Sequence, residues 1–361
     1  MSGVSAARAL GSILLLALAL LLGACSRSEL FHHEAYVFGT RVELAIAGTE
    51  PAVAEAAGAA VLREFDRLHR AYHAWEPSEL STLNEVLAAG GTATVSPELA
   101  FMLADAQRIA VTGDELFNPA LGALIALWGF HGDSFAALRP EPAALQRLLA
   151  AAPRMADLHI EGVTIRSDNP AVQLDLGGYA KGYALDRAAV ILREHGVRNA
   201  LINIGGNVLA LGDKGGQPWR IGIQHPRQPA PLATLPLYDG EAIGTSGDYQ
   251  RYFMLDEERY SHLLDPRSGQ PSRATQSLTV LVQPDNGWLR PAEDGLLSGV
   301  GTLSDAASKP AFIAGDDWLA YSRRYQIKHA LRVAADGRIE VSAALRARLQ
   351  LVGKPDLRVV D

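Results

Sequence analysis

The chain has 361 residues, with 33 Lys and Arg against 40 Asp and Glu, a net charge of −7, and no basic run, which argues against a nucleic-acid partner. Its one cysteine, Cys25, excludes an internal disulfide. At 48% hydrophobic residues the composition is that of an ordinary globular protein, long enough for a large fold of mixed helix and strand.

In chain order, Arg8 precedes an apolar run from Leu10 to Leu22, which closes on Leu22-Gly23-Ala24-Cys25. A basic start, an apolar stretch and small residues before a cut site make a secretory signal. The run is shorter than the roughly 20 residues that span a bilayer. Its end resembles a bacterial lipobox, and acylation gives the lone thiol a purpose. Residues 1–24 are therefore read as a lipoprotein signal, Cys25 as the lipidated N-terminus, 25–34 as a tether and 35–355 as the folded domain. The expected location is the bacterial cell envelope, lipid-anchored and facing the periplasm, with inner and outer membrane both open.

"RVELAIAG" (Arg41–Gly48) alternates as a half-buried strand does. Pro51–Tyr72 carries a helical apolar stripe, and Ser96 with Pro97 opens a second helix that ends at Gly113. Pro142–Ala151 and Tyr179–His195 read as further helices. "LHIEGVTIRS", "AVQLDL", "NALINIGGNVLALG", "WRIGIQ" and "SLTVLVQ" read as strands. "LRVAADGRIEVS" predicts a hairpin turning on Asp336-Gly337, followed by a helix capped by Ser342. Pro226–Pro236 and Gln283–Leu303 read as long loops. The irregular alternation predicts an α+β fold with mixed sheets and flanking helices.

Several stretches carry charge or backbone freedom that a plain core does not need. In "QLDLGGYAKGYALDRAA" (Gln173–Ala189), Asp175, Lys181 and Asp186 flank glycines where a strand meets a helix. Lys181 falls in the first helical turn, where the helix dipole disfavours a cation unless an anion sits beside it. The glycines of Asn203–Val208 mark either a bulge or a close approach by backbone or ligand. Gly244–Pro266 gathers Thr245, Ser246, Asp248, His262 and Asp265, a set suited to acid–base work. Ser246 lacks the G-x-S-x-G elbow of a serine hydrolase. His69 and His73, four apart, have no third ligand nearby and read as exposed helix histidines. "FNPALGALIALWGFHG" suits a core and equally a wall for a flat ring system.

Taken in order, "FGT" (Phe38–Thr40), "WEPSELSTLN", "FNPALGALIALWGF", "LDLGGYAKGYALDRAA", "NIGGNV", "TSGDYQRYF" and "HLLDPRSGQP" resemble the motifs of the ApbE-type FAD:protein FMN transferases. The resemblance implies an enzyme that takes FAD, transfers FMN to a Ser or Thr hydroxyl of a flavin-acceptor protein in a respiratory or redox complex, and releases AMP, with Mg²⁺ as cofactor. It implies that Phe38, Trp75, Phe117, Asn118 and Pro119 pack the flavin, that Asp175 contacts it, and that Leu264 touches FAD through its backbone. Lys181 is expected at the polar half of FAD, and His262 as the group that helps deprotonate the acceptor hydroxyl. Thr245, Ser246 and Asp248 would seat the acceptor peptide. The metal set would comprise the Gly178 carbonyl, Asp305, Ser308 and Lys309. Here the sequence departs from the family, because "SDAASKPAFIAG" (Ser304–Gly315) puts Lys309 where a Thr ligand belongs. A protonated Lys only donates, so magnesium is expected to be held weakly, with Asp305 paired to Lys309 in its absence. A second register, "EDGLLSGVG", would offer Asp294 and Ser298. The alternatives are an FAD carrier or scavenger that has lost transfer, and an FAD pyrophosphatase giving FMN and AMP.

Overall fold

The computed structural model describes residues 29–132, 137–290 and 299–361. Its frame is a nine-stranded sheet whose strands lie side by side in chain order: β1 Leu30–Val37, β2 Thr40–Ala47, β3 Asn199–Ile204, β4 Asn207–Leu211, β5 Ala242–Gly247, β6 Thr275–Val282, β7 His329–Ala334, β8 Ile339–Ser342 and β9 Leu357–Val360. Neighbours run antiparallel except β8 and β9, which are parallel. The outer strands carry the folded unit past residues 35 and 355 at both ends.

Alternation along the strands gives the sheet two apolar faces. Val42, Leu44, Ile202, Ile204, Leu278 and Val280 point into a core shared with helices α1 (Pro51–Ala71), α2 (Glu79–Ala88) and α3 (Pro97–Thr112). On the opposite face, Val208, Ala210, Ile243 and Leu331 pack beneath a small sheet that contains Trp219–Gln224 and Pro231–Leu237. A third core joins α4 (Gly122–Leu127) and α5 (Pro142–Ala151) to a hairpin through Leu124, Trp128, Leu145, Phe253 and Tyr260. The result is the α+β architecture expected from the sequence.

Local chemistry explains most of the elements. Ser96 Oγ accepts from the Leu99 amide to start α3, and Ser342 does the same for the last helix. The Asp336-Gly337 hairpin forms, with Gly337 at φ 88°. Five readings need correction. "NALINIGGNVLALG" is two strands, because Gly205 and Gly206, at φ 58° and 92°, make a two-residue hairpin turn. "LHIEGVTIRS" is likewise a hairpin, and "AVQLDL" forms no strand beyond a single bridge at Gln173. Most of Pro226–Pro236 is a strand, since Leu232, Ala233 and Leu235 are buried under the main sheet. Of the other expected loop, residues 291–298 lie outside the described residues, and a helix already begins at Val300.

Two further helices position the site. α6 (Ala180–Glu194) continues the glycine stretch, and α7 (Val300–Ile313) carries Asp305 and Lys309. Their backbones touch: a Cβ on Gly182 would lie 2.4 Å from the Gly301 carbonyl oxygen. On the other side of α7, a Cβ on Gly244 of β5 would lie 2.2 Å from the Ser304 carbonyl. Glycine at these positions lets α7 wedge between α6 and the sheet. Asp186 of α6 then accepts from the Gly299, Gly301 and Thr302 amides and the Thr302 hydroxyl, capping α7 from a neighbouring helix.

Candidate active site

A cleft of about 1030 Å³ opens where the β1–β2 and β3–β4 turns, the α6 N-terminus, α7 and the Phe253–Tyr260 hairpin meet. Its wall is aromatic. Phe38 holds a left-handed backbone (φ 57°) in the turn between β1 and β2, a strained conformation for a bulky residue. Its ring leans on Phe65 at 6.0 Å and His69 at 5.7 Å. Trp75 Nε1 donates to Asp175 Oδ2 at 3.1 Å, while Asp175 Oδ1 accepts from the Gly177 amide at 2.7 Å. The carboxylate thus fixes the indole plane. Phe117, Asn118 and Pro119 line the same side, but both ends of the Asn118 amide are committed to backbone, at Pro153 O and Ala120 N. Leu264 also faces the cleft.

The floor is charged. Asp305 is 2% exposed, and its Oδ1 accepts from Lys309 Nζ at 2.7 Å. Its Oδ2 accepts from the Gly182 amide at 3.0 Å and lies 3.7 Å from Lys181 Nζ. Lys181 also donates to the Gly177 carbonyl at 2.9 Å. The anion that a first-turn lysine needs is therefore the protein's own. Burial pushes the Asp305 carboxyl up, but the Lys181 and Lys309 ammoniums and the Gly182 amide overcome this and hold it below the usual carboxylate range. The expected Asp305–Lys309 ion pair is present.

His262 faces this floor from the hairpin lobe. Its ring stands against Phe130 at 6.4 Å, and its Nδ1–H donates to the Arg251 carbonyl at 3.1 Å. That bond assigns the proton to Nδ1 and leaves Nε2 with its lone pair. Burial first, then the Arg251 charge, lowers its pKa to about 3. The unfolded imidazole takes up a proton below its ordinary value of 6.5, whereas the folded one waits until about 3. This group therefore costs stability progressively as pH falls through that window and contributes nothing above it. We expect the parent's melting temperature to fall more steeply than that of His262→Phe between pH 6.5 and the acid limit, as read by thermal scans. Parallel profiles would refute the assignment.

Other expected site residues are committed to packing or ion pairs, although Thr245 and Ser246 reach the cleft wall. Ser308 is buried, donates to the Asp305 carbonyl at 2.7 Å and lies 2.7 Å from the Ser246 hydroxyl, so it serves helix and sheet packing. Thr245 pairs with Thr279 across the sheet. Asp248 forms a two-pronged bond with Arg227, and Asp265 one with Arg267. His69 and His73 are half-buried and line the cleft, their rings 5.1 Å apart, because the Phe38 turn covers this end of α1. His73 Nδ1 accepts from the Trp75 and Glu76 amides. Cys25, Asp294 and Ser298 lie outside the described residues. Sequence reasoning missed Arg251, whose carbonyl sets the His262 tautomer, and Tyr36 at the cleft rim. The hairpin register, pairing Tyr252 with Ser261, would have put Arg251 opposite His262.

The ApbE family model matches residues 38–331. The chain belongs to the ApbE family. A Rhodobacter capsulatus relative named FAD:protein FMN transferase is 42% identical over 318 residues, which cover 88% of this chain but 58% of that relative's own length. A Klebsiella pneumoniae (strain 342) protein of the same name is 31% identical over 68% of this chain and 71% of its own. Among solved structures, the ApbE protein of Thermotoga maritima MSB8 superposes with a TM-score of 0.77 at 29% identity, covering 89% of this chain and 99% of that one. The flavin transferase ApbE of Vibrio cholerae gives 0.74 at 25% identity with the same coverage.

The magnesium implied by the ApbE resemblance does not fit the described residues around Asp305. Both Asp305 oxygens are engaged, and two ammoniums stand around the one carboxylate. The Lys309 stem packs on Gly178, where a Cβ would lie 2.8 Å from its Cε. Among the described residues no group of three or more His, Cys, Asp or Glu is arranged to hold a metal ion.

Proposed function

We propose that this protein is an FAD:protein FMN transferase. The acceptor's Ser or Thr oxygen bonds to the flavin-side phosphorus of FAD, the bond from that phosphorus to the AMP oxygen breaks, and AMP leaves. The hydroxyl proton passes to His262 Nε2 and then to solvent. Phosphoryl transfer asks the protein mainly to align the nucleophile and to balance charge. The observation that carries the reading is the meeting, in one cleft, of an aromatic wall, a neutral imidazole with a bare Nε2 and a cationic floor. The volume is at the upper end of small-molecule sites, as a dinucleotide requires. Among the described residues magnesium finds no donor set, so the lysines and His262 carry the charge and proton balance.

The acceptor in this reading is a flavin-carrying subunit of a respiratory or redox complex, met at the membrane by a lipid-anchored enzyme. Incubating the protein with FAD and a candidate acceptor domain tests the function. Flavin that stays on the acceptor through denaturation supports transfer. Free FMN and AMP alone would mean hydrolysis, and intact bound FAD a carrier; either result sinks the proposal.

The anchor rests on the lipobox at Cys25. Among the described residues no helix is long and apolar enough to cross a membrane. We expect the expressed parent to partition into the detergent phase and Cys25→Ala to move to the aqueous phase. Equal partitioning of the two would rule out lipidation at this residue.

A further inference from the structure

The floor of the cleft holds more positive charge than its own carboxylate neutralises. Lys181 from the first turn of α6 and Lys309 from α7 converge on Asp305, two ammoniums for one carboxylate. Lys309 is only 14% exposed, and it spends one bond on the Asp305 carbonyl at 2.8 Å and one on the carboxylate. An ammonium carries three protons, so each lysine still has donors for a further acceptor. The residues named above also keep a divalent cation out, by occupying its oxygen ligand and by repulsion.

We infer that Lys181 and Lys309 hold the diphosphate of FAD directly and that FMN transfer by this protein runs without a divalent cation. The inference rests on the transferase reading. A charge-assisted N–H···O bond suits a diphosphate oxygen in a site shielded from water. When the bond between the flavin-side phosphorus and the AMP oxygen breaks, the new negative charge collects on AMP. Two fixed ammoniums are placed to receive it, a task that falls to metal ions in many phosphoryl transfers. Asp305 holds both lysines in position, and its charge opposes the burial that lowers the Lys309 pKa. The net positive charge that remains favours an anionic ligand over a cation.

Two measurements on the full chain test this. The first is binding of FAD and of riboflavin, followed by flavin fluorescence in excess EDTA. The parent should bind FAD more tightly than riboflavin, and Lys309→Thr should weaken FAD binding by about ten- to a hundredfold while leaving riboflavin unchanged. The second is transfer to an acceptor in EDTA and across a magnesium titration. The parent should be equally fast in both, whereas Lys309→Thr should lose transfer in EDTA and recover it with magnesium. A parent whose transfer is abolished by EDTA and restored by magnesium overturns the inference, with no variant needed. So does unchanged FAD affinity in folded Lys309→Thr, or in Lys309→Gln should the threonine variant not fold. A parent that binds FAD as described but transfers under neither condition keeps the diphosphate site and defeats the transferase reading instead.

Discussion

His262→Ala is expected to slow FMN transfer by roughly 10²- to 10⁴-fold, the usual range for a lost general base, with FAD affinity unchanged. The size follows from what the imidazole supplies. The Arg251 carbonyl holds Nδ1–H, so Nε2 is bare whenever the ring is neutral. With a pKa lowered to about 3 by burial and the Arg251 charge, the ring is neutral across the working range. The same environment makes Nε2 a weak base, so the gain comes from placing an acceptor for the proton beside a nucleophile already aligned, more than from proton affinity. Single-turnover rates with saturating acceptor, alongside FAD titrations, separate the two effects. A variant that transfers at the parental rate would remove His262 from the chemistry; a matching loss of FAD affinity would make it a binding residue.

Asp186→Ala is expected to lower stability by about 3–5 kcal/mol, because three amides and a hydroxyl at the start of a buried helix lose their acceptor together. For a chain of this size that corresponds to a melting-temperature drop of about 4–7 °C. Transfer measured well below the transition should also fall, since the cap sets where α7 begins and hence where Asp305 and Lys309 sit. A melting temperature within a degree or two of the parent's would show that solvent satisfies these groups and that the cap is dispensable.

Asp186 also shows where reading a sequence stops. It lies in the most informative stretch of the chain, and its charge beside glycines pointed towards a ligand. Its partners lie more than 110 positions away, beyond the reach of any local pattern. Gly182 likewise serves a helix crossing with Gly301, a contact that only folding brings about. Elements governed by neighbours were legible: the Ser96 and Ser342 caps, the Asp336-Gly337 turn and the alternation of β2. Gly205-Gly206 was misread because two glycines between apolar runs satisfy both a bulge and a hairpin, and the turn geometry decides. Pro231–Leu237 was misread because its prolines hid a buried alternation. In the cleft, Phe38, Trp75, Asp175, Lys181, His262 and Asp305 do converge. Ser246 and Ser308 were drawn towards the chemistry by their hydroxyls, yet the sheet uses those groups to seat α7.

The base and the cations are carried by different elements, and the hairpin before His262 packs in its own small core, although Leu263 reaches the large one. His262 follows a hairpin whose rings, Phe253 and Tyr260, belong to the small core with Trp128 and Phe130. Lys181 and Lys309 ride on helices seated in the large core against the main sheet. In the proposed reaction, sequence drift in the hairpin lobe can therefore retune how an acceptor hydroxyl is presented, while the unit proposed to receive the diphosphate keeps its shape. On that reading, such a division would let one scaffold adapt to different acceptors without rebuilding its grip on FAD.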